Sequence, residues 1–236
     1  MPAAEPRTGY GLVLVRHGRF RRLARGVAVD ADPAVGYLMA PDEDERFAHP
    51  AGGDVCTWVG VAPDVWHVMA GDSRAGPAVY VDARLDLTHR RLLAAAAAGD
   101  IGYGVAEELL GALAQALRRA PPGGAARDRA LVAAAREALA ADHPAAAGLL
   151  PLAALLGVSP YRLSRAFPRE TGVPLTRYRN RIRVGRALDR LAAGERNLAV
   201  LAADLGFADQ AHLCRTMRAH LGHPPSEVRR LLEPAG

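Results

Sequence analysis

Two short segments in the last third of the chain carry polar and basic side chains at helical spacing. The first presents Tyr161, Arg162, Ser164, Arg165 and Arg169, and the second presents Gln210, His212, Arg215 and Arg218. These side chains donate hydrogen bonds suited to base edges and phosphates. A single exposed arginine on a helix is more often merely solvated. Arginines at matching places in two related segments favour nucleic-acid binding.

The two segments belong to a duplicated unit. Leu152-Ala-Ala-Leu-Leu-Gly157 recurs as Leu201-Ala-Ala-Asp-Leu-Gly206 at an offset of 49. Beyond the turn the offset becomes 50, so that Arg165 matches Arg215. A turn tolerates one added residue, whereas packed helices do not. The pattern predicts two copies of a helix–turn–helix.

Local signals in each copy agree with this motif. Leu152, Leu155 and Leu156 are spaced to form a buried stripe on a short helix, which Gly157 then ends. Ser159 is a suitable N-cap for the next helix, which starts at Pro160. The second copy repeats these features, with stop, cap and inner face at Gly206, Asp209, Leu213 and Met217.

These residues resemble the signature of a known family. Gly206-Phe-Ala-Asp-Gln-Ala-His-Leu-Cys-Arg215 and Met217-Arg-Ala-His-Leu-Gly-His-Pro-Pro-Ser-Glu-Val-Arg229 are similar to the AraC/XylS family of bacterial transcription regulators. Gly157-Val-Ser-Pro-Tyr-Arg-Leu-Ser-Arg-Ala-Phe167 and Glu170-Thr-Gly172 resemble that family's first helix–turn–helix. The resemblance covers residues 127 to 232. It implies an all-helical DNA-binding domain with two motifs and a long connecting helix.

The resemblance also implies which residues read bases. They are Tyr161, Ser164 and Arg165 in the first recognition helix and Gln210, Ala211, His212 and Arg215 in the second. We expect the DNA backbone to be held by Arg162, Arg169, Arg177, Arg181 and Arg218. Two residues depart from the family pattern: Pro168, which puts the last turn of the first recognition helix in doubt, and Met217, which should be neutral in the core.

A connecting helix is predicted from Pro174 to Ala193. At about 1.5 Å per residue it spans roughly 30 Å, close to the 34–36 Å of one duplex turn. That length would place two recognition helices in successive major grooves. Several arginines interleave with its apolar residues: Arg177, Arg179, Arg181, Arg183, Arg186 and Arg190.

Charge is unevenly distributed along the chain. Of the 30 basic residues, all arginine, 17 lie in residues 127–236 against 10 acidic residues, while residues 1–126 hold 13 against 15. The exclusive use of arginine is best explained by a GC-rich coding sequence. The excess of positive charge places the polyanion-binding surface in the C-terminal part.

Residues 11 to 81 are typical of a small β-rich domain. Short β-prone runs alternate with glycine, proline and aspartate clusters, namely Gly11–Val15, Val27–Val29, Val35–Met39, Cys56–Val61 and Val79–Val81. Members of the family commonly carry a cupin-like effector domain here, and the pattern is compatible with one. We therefore predict an α+β protein, with a β-rich, cupin-like N-terminal domain and a helical extension before the all-α double helix–turn–helix domain.

No catalytic or metal site is predicted in the N-terminal part, and no cofactor is expected. His17, His49 and His67 are isolated, without a pair at metal-ligand spacing. Cys56 has no second cysteine nearby to resolve a sulfenic acid, so a buried small residue is favoured over a redox switch. The segment Phe47-Ala-His-Pro50, together with Gly52-Gly53-Asp54, is expected to form a turn before the strand at Cys56, and a pocket role for His49 has no support.

Two helices are predicted from Leu85 to Ala98 and from Val105 to Ala120. They either pack against the sheet or form an antiparallel pair that makes a homodimer, as the resemblance suggests. Pro121 to Ala126 is the predicted linker, and a further helix is predicted from Arg127 to Ala141. The predicted domains are thus 1–81 (effector or regulatory), 82–120 (helical pair), 121–126 (linker) and 127–236 (DNA-binding).

The sequence predicts a DNA-binding transcriptional regulator, not an enzyme. Its partners would be double-stranded promoter or operator DNA, RNA polymerase and an unidentified small-molecule effector. The start of the chain has no signal pattern and no long apolar run follows, so a cytoplasmic location without membrane contact is expected. The alternatives are an enzymatic N-terminal domain fused to a DNA-targeting module, and a ligand-independent regulator whose N-terminal domain only dimerises or binds a protein.

Overall fold

The computed structural model describes residues 9–41, 43–49, 52–70, 78–99, 102–118 and 126–232. Two compact units divide the chain. The first holds Met1–Val81, Ala114–Gly124 and Arg169–Gly172, and the second holds Asp82–Leu113, Ala125–Pro168 and Val173–Gly236.

The described residues up to Val81, which belong to the first unit, form seven strands and one short helix. The strands are β1 (Tyr10–His17), β2 (Phe20–Ala24), β3 (Val27–Ala31), β4 (Val35–Met39), β5 (Glu45–Ala48), β6 (Val55–Val61) and β7 (Ala78–Tyr80), and the helix is α1 (Pro63–Ala70). They form a four-stranded sheet in the order β6-β1-β4-β7 and a three-stranded sheet in the order β3-β2-β5. Every pairing is antiparallel. This confirms the predicted β-rich N-terminal region.

Three of these elements, β2, β5 and α1, were not predicted. Strand β5 includes Phe47 and Ala48, the first two residues of the segment expected to be a turn, and Phe47 pairs with Arg22 of β2. The turn itself follows the strand, where the amide of Gly52 donates to the carbonyl of His49 over 3.4 Å. Strand β2 was not predicted from alternating apolar residues because Arg22 occupies an inward-facing position between Phe20 and Ala24. The helix α1 begins at Pro63, a residue suited to the first helical position.

The described residues after β7 are mainly helical. The helices are α2 (Ala83–Ala97), α3 (Tyr103–Arg118), α4 (Ala126–Ala140), α5 (Leu149–Leu155), α6 (Pro160–Thr171), α7 (Leu175–Ala192), α8 (Leu198–Asp204), α9 (Gln210–Leu221) and α10 (Pro225–Leu232), with a 3₁₀ turn at Pro144–Ala147. Among the described residues, none of these helices has both the length and the apolarity needed to cross a membrane.

The helical boundaries follow the local signals. The predicted helices at 85–98, 105–120, 127–141 and 174–193 are all present, each within two residues of its predicted ends. The helix α6 continues through Pro168 to Thr171, so the expected disturbance of its last turn does not occur. The predicted linker at 121–126 lies outside the described residues except for Ala126.

A single apolar core holds the second helix–turn–helix together. Residues from α7, α8, α9 and α10 contribute to it, including Leu188, Leu201 and Met217, which are fully buried. Ala83 and Leu87 of α2 belong to the same core. The helix that directly follows the β-rich region in sequence therefore packs as part of the second unit.

Candidate nucleic-acid interface

The two helix–turn–helix units share one backbone conformation at the turn. Gly157 and Gly206 have φ of +64° and +70°, a left-handed conformation that strongly favours glycine. The amide after each glycine donates to the carbonyl five residues earlier, over 3.0 Å from Val158 and 2.9 Å from Phe207. These bonds satisfy carbonyls at the end of the first helix. The duplication inferred from sequence is thus repeated in hydrogen bonding.

Each recognition helix starts at a side-chain cap. The Ser159 Oγ accepts from the amide of Arg162 over 3.2 Å, and the Asp209 Oδ1 accepts from the amide of His212 over 2.5 Å. Such caps satisfy amides that have no partner within the helix. Both helices are therefore fixed at their N-terminal ends.

The inner faces of both helix–turn–helix motifs are buried, with one exception. Leu152 and Leu163 of the first motif are buried, as are Leu201 and Leu213 of the second motif. Leu155, predicted to be part of the buried stripe, is 47% exposed. Its helix ends at that residue, and the small side chain of Ala153 fills the inner position next to Leu152.

The side chains predicted to read bases lie on the outward faces. Tyr161 is 74% exposed. The exposed members of this set are Tyr161, Ser164, Arg165, Gln210, Ala211 and Arg215, and His212 is half-buried. Two of them make local contacts. The Ser164 Oγ donates to the carbonyl of Tyr161 over 2.9 Å, and the His212 Nδ1 accepts from the amide of Ala208 over 3.3 Å.

His212 is also packed against the turn. Its ring lies edge-on to Phe207, with 5.4 Å between ring centroids. A side chain held by the backbone of the turn on one side and an aromatic ring on the other is less free to follow a base than Arg215, which is exposed on the same helix.

Four of the five arginines predicted to hold the backbone are accessible. Arg169, Arg177 and Arg218 are exposed, and Arg162 is half-buried with its Nη2 atom 3.9 Å from Asp128 Oδ1. Arg181 differs. It is 2% exposed, and its Nη2 lies 3.1 Å from Asp86 Oδ2 of α2. A phosphate cannot reach a guanidinium buried in this way, which corrects the expectation for Arg181.

The other arginines of α7 fall into two groups. Arg186 contacts Asp142 over 2.9 Å, and Arg190 contacts Glu195 over 3.0 Å. Arg179 and Arg183 are half-buried, and burial lowers the pKa of both guanidinium groups. For Arg183 the neighbouring charges of Arg179 and Arg186 lower the pKa further, while Asp142 opposes this shift.

Arg183 lies beside the turn of the second helix–turn–helix motif. Its guanidinium carbon lies 5.6 Å from the centroid of the Phe207 ring. A Cβ atom at Gly206 would lie 2.8 Å from its Nη2. Arg183 thus lies next to the N-terminal end of α9. The sequence did not distinguish it from the other arginines of α7, because its packing depends on Phe207, which is 24 residues away in sequence.

The polar residues singled out in the N-terminal unit form a small surface cluster. Asp54 Oδ1 lies 3.0 Å from His49 Nε2, and its Oδ2 lies 2.9 Å from the Cys56 thiol. Cys56 is exposed, so the expectation of a buried cysteine was wrong. The Asp54 carboxylate thus contacts both the thiol and the imidazole. Within the described ranges, no group of three or more His, Cys, Asp or Glu side chains could hold a metal ion.

Comparison with known proteins identifies the C-terminal region. The model of a family described as a helix-turn-helix domain matches residues 152–231. This range begins within α5, the first helix of the first helix–turn–helix motif, and ends within α10. A search among curated proteins finds no significant match.

Several solved structures are similar to the chain. The C-terminal domain of AraT, a response regulator from Geobacillus stearothermophilus, is 26% identical over 42% of this chain and 84% of its own, with a TM-score of 0.40. ToxT from Vibrio cholerae is 12% identical over 95% of this chain and 91% of its own, with a TM-score of 0.39. The AraC-like transcriptional activator CuxR is 16% identical over 78% and 69%, with a TM-score of 0.39.

Proposed function

We propose that the chain is a DNA-binding transcriptional regulator of the AraC type. Its helix–turn–helix domain, matched over residues 152–231, reads two successive major grooves with α6 and α9. Arg165 and Arg215 are the central base-reading residues of this proposal. They occupy equivalent, exposed positions on two helices with the same cap and the same preceding turn. An exposed arginine can donate two hydrogen bonds to guanine.

The connecting helix sets the distance between the two readers. α7 has 18 residues, which corresponds to about 27 Å of helix. With the turns at its ends, this length suits one duplex turn between the two recognition helices. Tyr161, Ser164, Gln210, Ala211 and His212 complete the proposed base-reading surface.

Backbone contacts are proposed for accessible arginines only. Arg162, Arg169, Arg177 and Arg218 remain from the sequence-based set, and Arg181 is left out because it is buried. We add Arg179 and Arg183, whose guanidinium groups are partly desolvated close to one another. A phosphate oxygen would relieve this unfavourable arrangement of like charges.

The N-terminal region is proposed to regulate DNA binding. Its role would be to sense a small molecule or to mediate dimerisation, with 1–81 as the effector domain and 127–236 as the recognition domain. A homodimer through residues 85–120 and an encounter with RNA polymerase remain proposals of the same kind.

The first experiment is selection of genomic DNA fragments by the full-length protein, followed by sequencing. We expect enriched sites that contain two short sequence blocks about one helical turn apart. Arg165→Ala should remove the preference within one block, and Arg215→Ala within the other. Each loss should amount to about 1–3 kcal/mol of discrimination.

Arg230→Ala provides the control, because Arg230 is exposed on α10 outside both recognition helices. This variant should retain the preference in both blocks. Enrichment without a shared motif, or a preference that survives both recognition-helix substitutions, would contradict the proposal.

A further inference from the structure

Helix α2 has two kinds of contact with the DNA-binding unit, and the first is apolar. Asp82 caps the helix, with its Oδ1 accepting from the amides of Arg84 and Leu85 over 3.1 and 3.0 Å. Ala83 and Leu87 are 1% and 5% exposed and belong to the core that includes Leu188 of α7. The first turns of α2 are thus inserted among the helices of the second helix–turn–helix.

The second kind of contact is a network of charged side chains. Asp86 is buried, and its carboxylate contacts Arg181 of α7 over 3.1 Å and Arg90 over 3.0 Å. Arg90 extends to Asp189 over 2.6 Å. Burial lowers the pKa of Arg90, but the charges of Asp86 and Asp189 outweigh it and raise the pKa overall. The arginine stays charged, and the network joins α2 to Arg181 and Asp189, which lie about two turns apart on α7.

A glycine of α7 makes room for this network. A Cβ atom at Gly185 would lie 2.7 Å from the Arg181 Nη1. The carbonyl of Gly185 also accepts from the Arg90 Nη2 over 3.5 Å. The backbone of α7 therefore approaches the guanidinium groups closely at this point, and the register between the two helices is fixed by charge and by shape.

The N-terminal end of α2 also reaches the C-terminal end of α9. Leu221 of α9 shares the apolar core with Ala83. Gly222, which ends α9 with φ of +87°, lies beside Arg84, whose Nη2 is 3.5 Å from the position a Cβ atom would take. Burial lowers the pKa of the His220 imidazole on α9, and the charge of Asp82, the residue that caps α2, opposes this shift. One helix therefore contacts both the connecting helix and the second recognition helix.

We propose that α2 positions the second recognition helix on DNA, with Asp86 as the positioning residue that fixes α2 on α7. The inference rests on the proposed function, since it concerns the DNA half-site that α9 reads. The apolar side of α2 is occupied within the unit, and the buried carboxylate specifies one register. Without the Asp86 carboxylate, α2 is no longer fixed on α7, and the C-terminal end of α9 loses the contacts that α2 makes with it. None of the contacts described above involves α6.

The test uses the full-length protein and DNA that carries both sequence blocks, one block alone, or neither. The block that belongs to α9 is the one whose preference is lost in Arg215→Ala. In Asp86→Asn we expect about tenfold weaker binding to the complete site, the order of one bidentate base contact. The loss should fall on the α9 block alone, while scrambling the α6 block remains as costly as in the unchanged protein.

Two further variants separate positioning from general damage. Glu108→Gln removes the ion pair between α3 and Arg91 of α2, which lies outside the network, and should leave both blocks unaffected. Asp86→Leu combined with Arg181→Met replaces the buried charges by apolar groups, a change that folded proteins often tolerate. This double variant should bind the α9 block better than Asp86→Asn does.

If Asp86→Asn fails to fold, Arg84→Ala serves instead, because Arg84 is exposed and lies beside Gly222 at the end of α9. Its loss of affinity should again be confined to the α9 block. Equal losses on both blocks, or no loss in either variant, overturn the positioning role. An unchanged protein that prefers neither block contradicts the proposed function itself, which is a different result.

Discussion

Arg22 lies inside the β-rich unit, where its guanidinium contacts the carboxylates of Glu43 and Glu45. The side chain is 1% exposed, and its guanidinium carbon lies 4.7 Å from the centroid of the Tyr37 ring. Arg21, its neighbour on the same strand, is exposed and contacts Asp30 over 2.6 Å. Alternation along the strand thus assigns opposite environments to two identical residues.

These environments predict different effects on stability. Replacing Arg22 by Met leaves two carboxylates without their buried partner and should lower the free energy of unfolding by about 3 kcal/mol or more. Replacing Arg21 by Met removes a surface pair and should change it by less than about 1 kcal/mol. Urea denaturation of both variants provides the measurement, and equal effects would contradict the assignment.

His220 near the end of α9 predicts a pH dependence. Burial lowers the pKa of its imidazole, Arg177 and Arg181 lower it further, and Asp82 raises it. Because the folded protein binds this proton more weakly than the unfolded chain does, this group lowers stability as the pH falls below about 6.5.

The pKa of His220 can be followed directly by NMR titration. Arg177→Ala should raise it, because a positive charge is removed, and Asp82→Asn should lower it, because a negative charge is removed. A pKa above the ordinary histidine value, or shifts of the opposite sign, would show that these groups do not surround His220 as the structure describes.

The turns of the two helix–turn–helix motifs share a backbone conformation but differ in their surroundings. Gly157 and Gly206 both have positive φ. A Cβ atom at Gly157 would meet nothing within 4 Å, whereas at Gly206 it would meet the guanidinium of Arg183. Conformational strain is therefore common to both positions, and only the second adds a steric conflict.

Matched alanine substitutions test this difference. Gly157→Ala should lower the free energy of unfolding by about 1 kcal/mol through strain in the left-handed conformation. Gly206→Ala should cost more, because Arg183 must also leave the face of Phe207. Thermal unfolding of the two variants measures the difference. An equal loss of stability would indicate that Arg183 is free to move without cost.

Elements whose signals are local could be predicted from the sequence, and these include both recognition helices. Their glycines, caps and apolar spacings lie within a few residues of one another, and the repeat made each copy support the other. The strand β2 could not be found in this way, because its inward residue Arg22 depends on glutamates more than 20 positions away for its burial. The role of Arg181 was misjudged for the same reason, since its partner Asp86 lies in a helix far earlier in the chain.

The uneven distribution of charge along the sequence agrees with the positions of exposed arginines in the structure. The basic excess lies in residues 127–236, where Arg177 and Arg218 are exposed. Charge on the surface can attract the DNA backbone, whereas the charge of Arg181 is already balanced by Asp86. Net charge from sequence therefore predicts the region that binds DNA but overstates how many arginines are available to phosphates.

Salt dependence distinguishes the available arginines from the rest. Each phosphate contact that is lost should reduce the slope of log K against log salt concentration by about 0.9. We expect this change in Arg177→Ala and in Arg218→Ala, with affinity lowered alike for specific and scrambled DNA because phosphates carry no sequence information. Arg21→Ala, in the N-terminal unit, is the control and should leave the slope unchanged. If Arg177→Ala and Arg218→Ala instead lower affinity only for the specific site, both side chains read bases, and the division between base-reading and backbone-holding residues has to be redrawn.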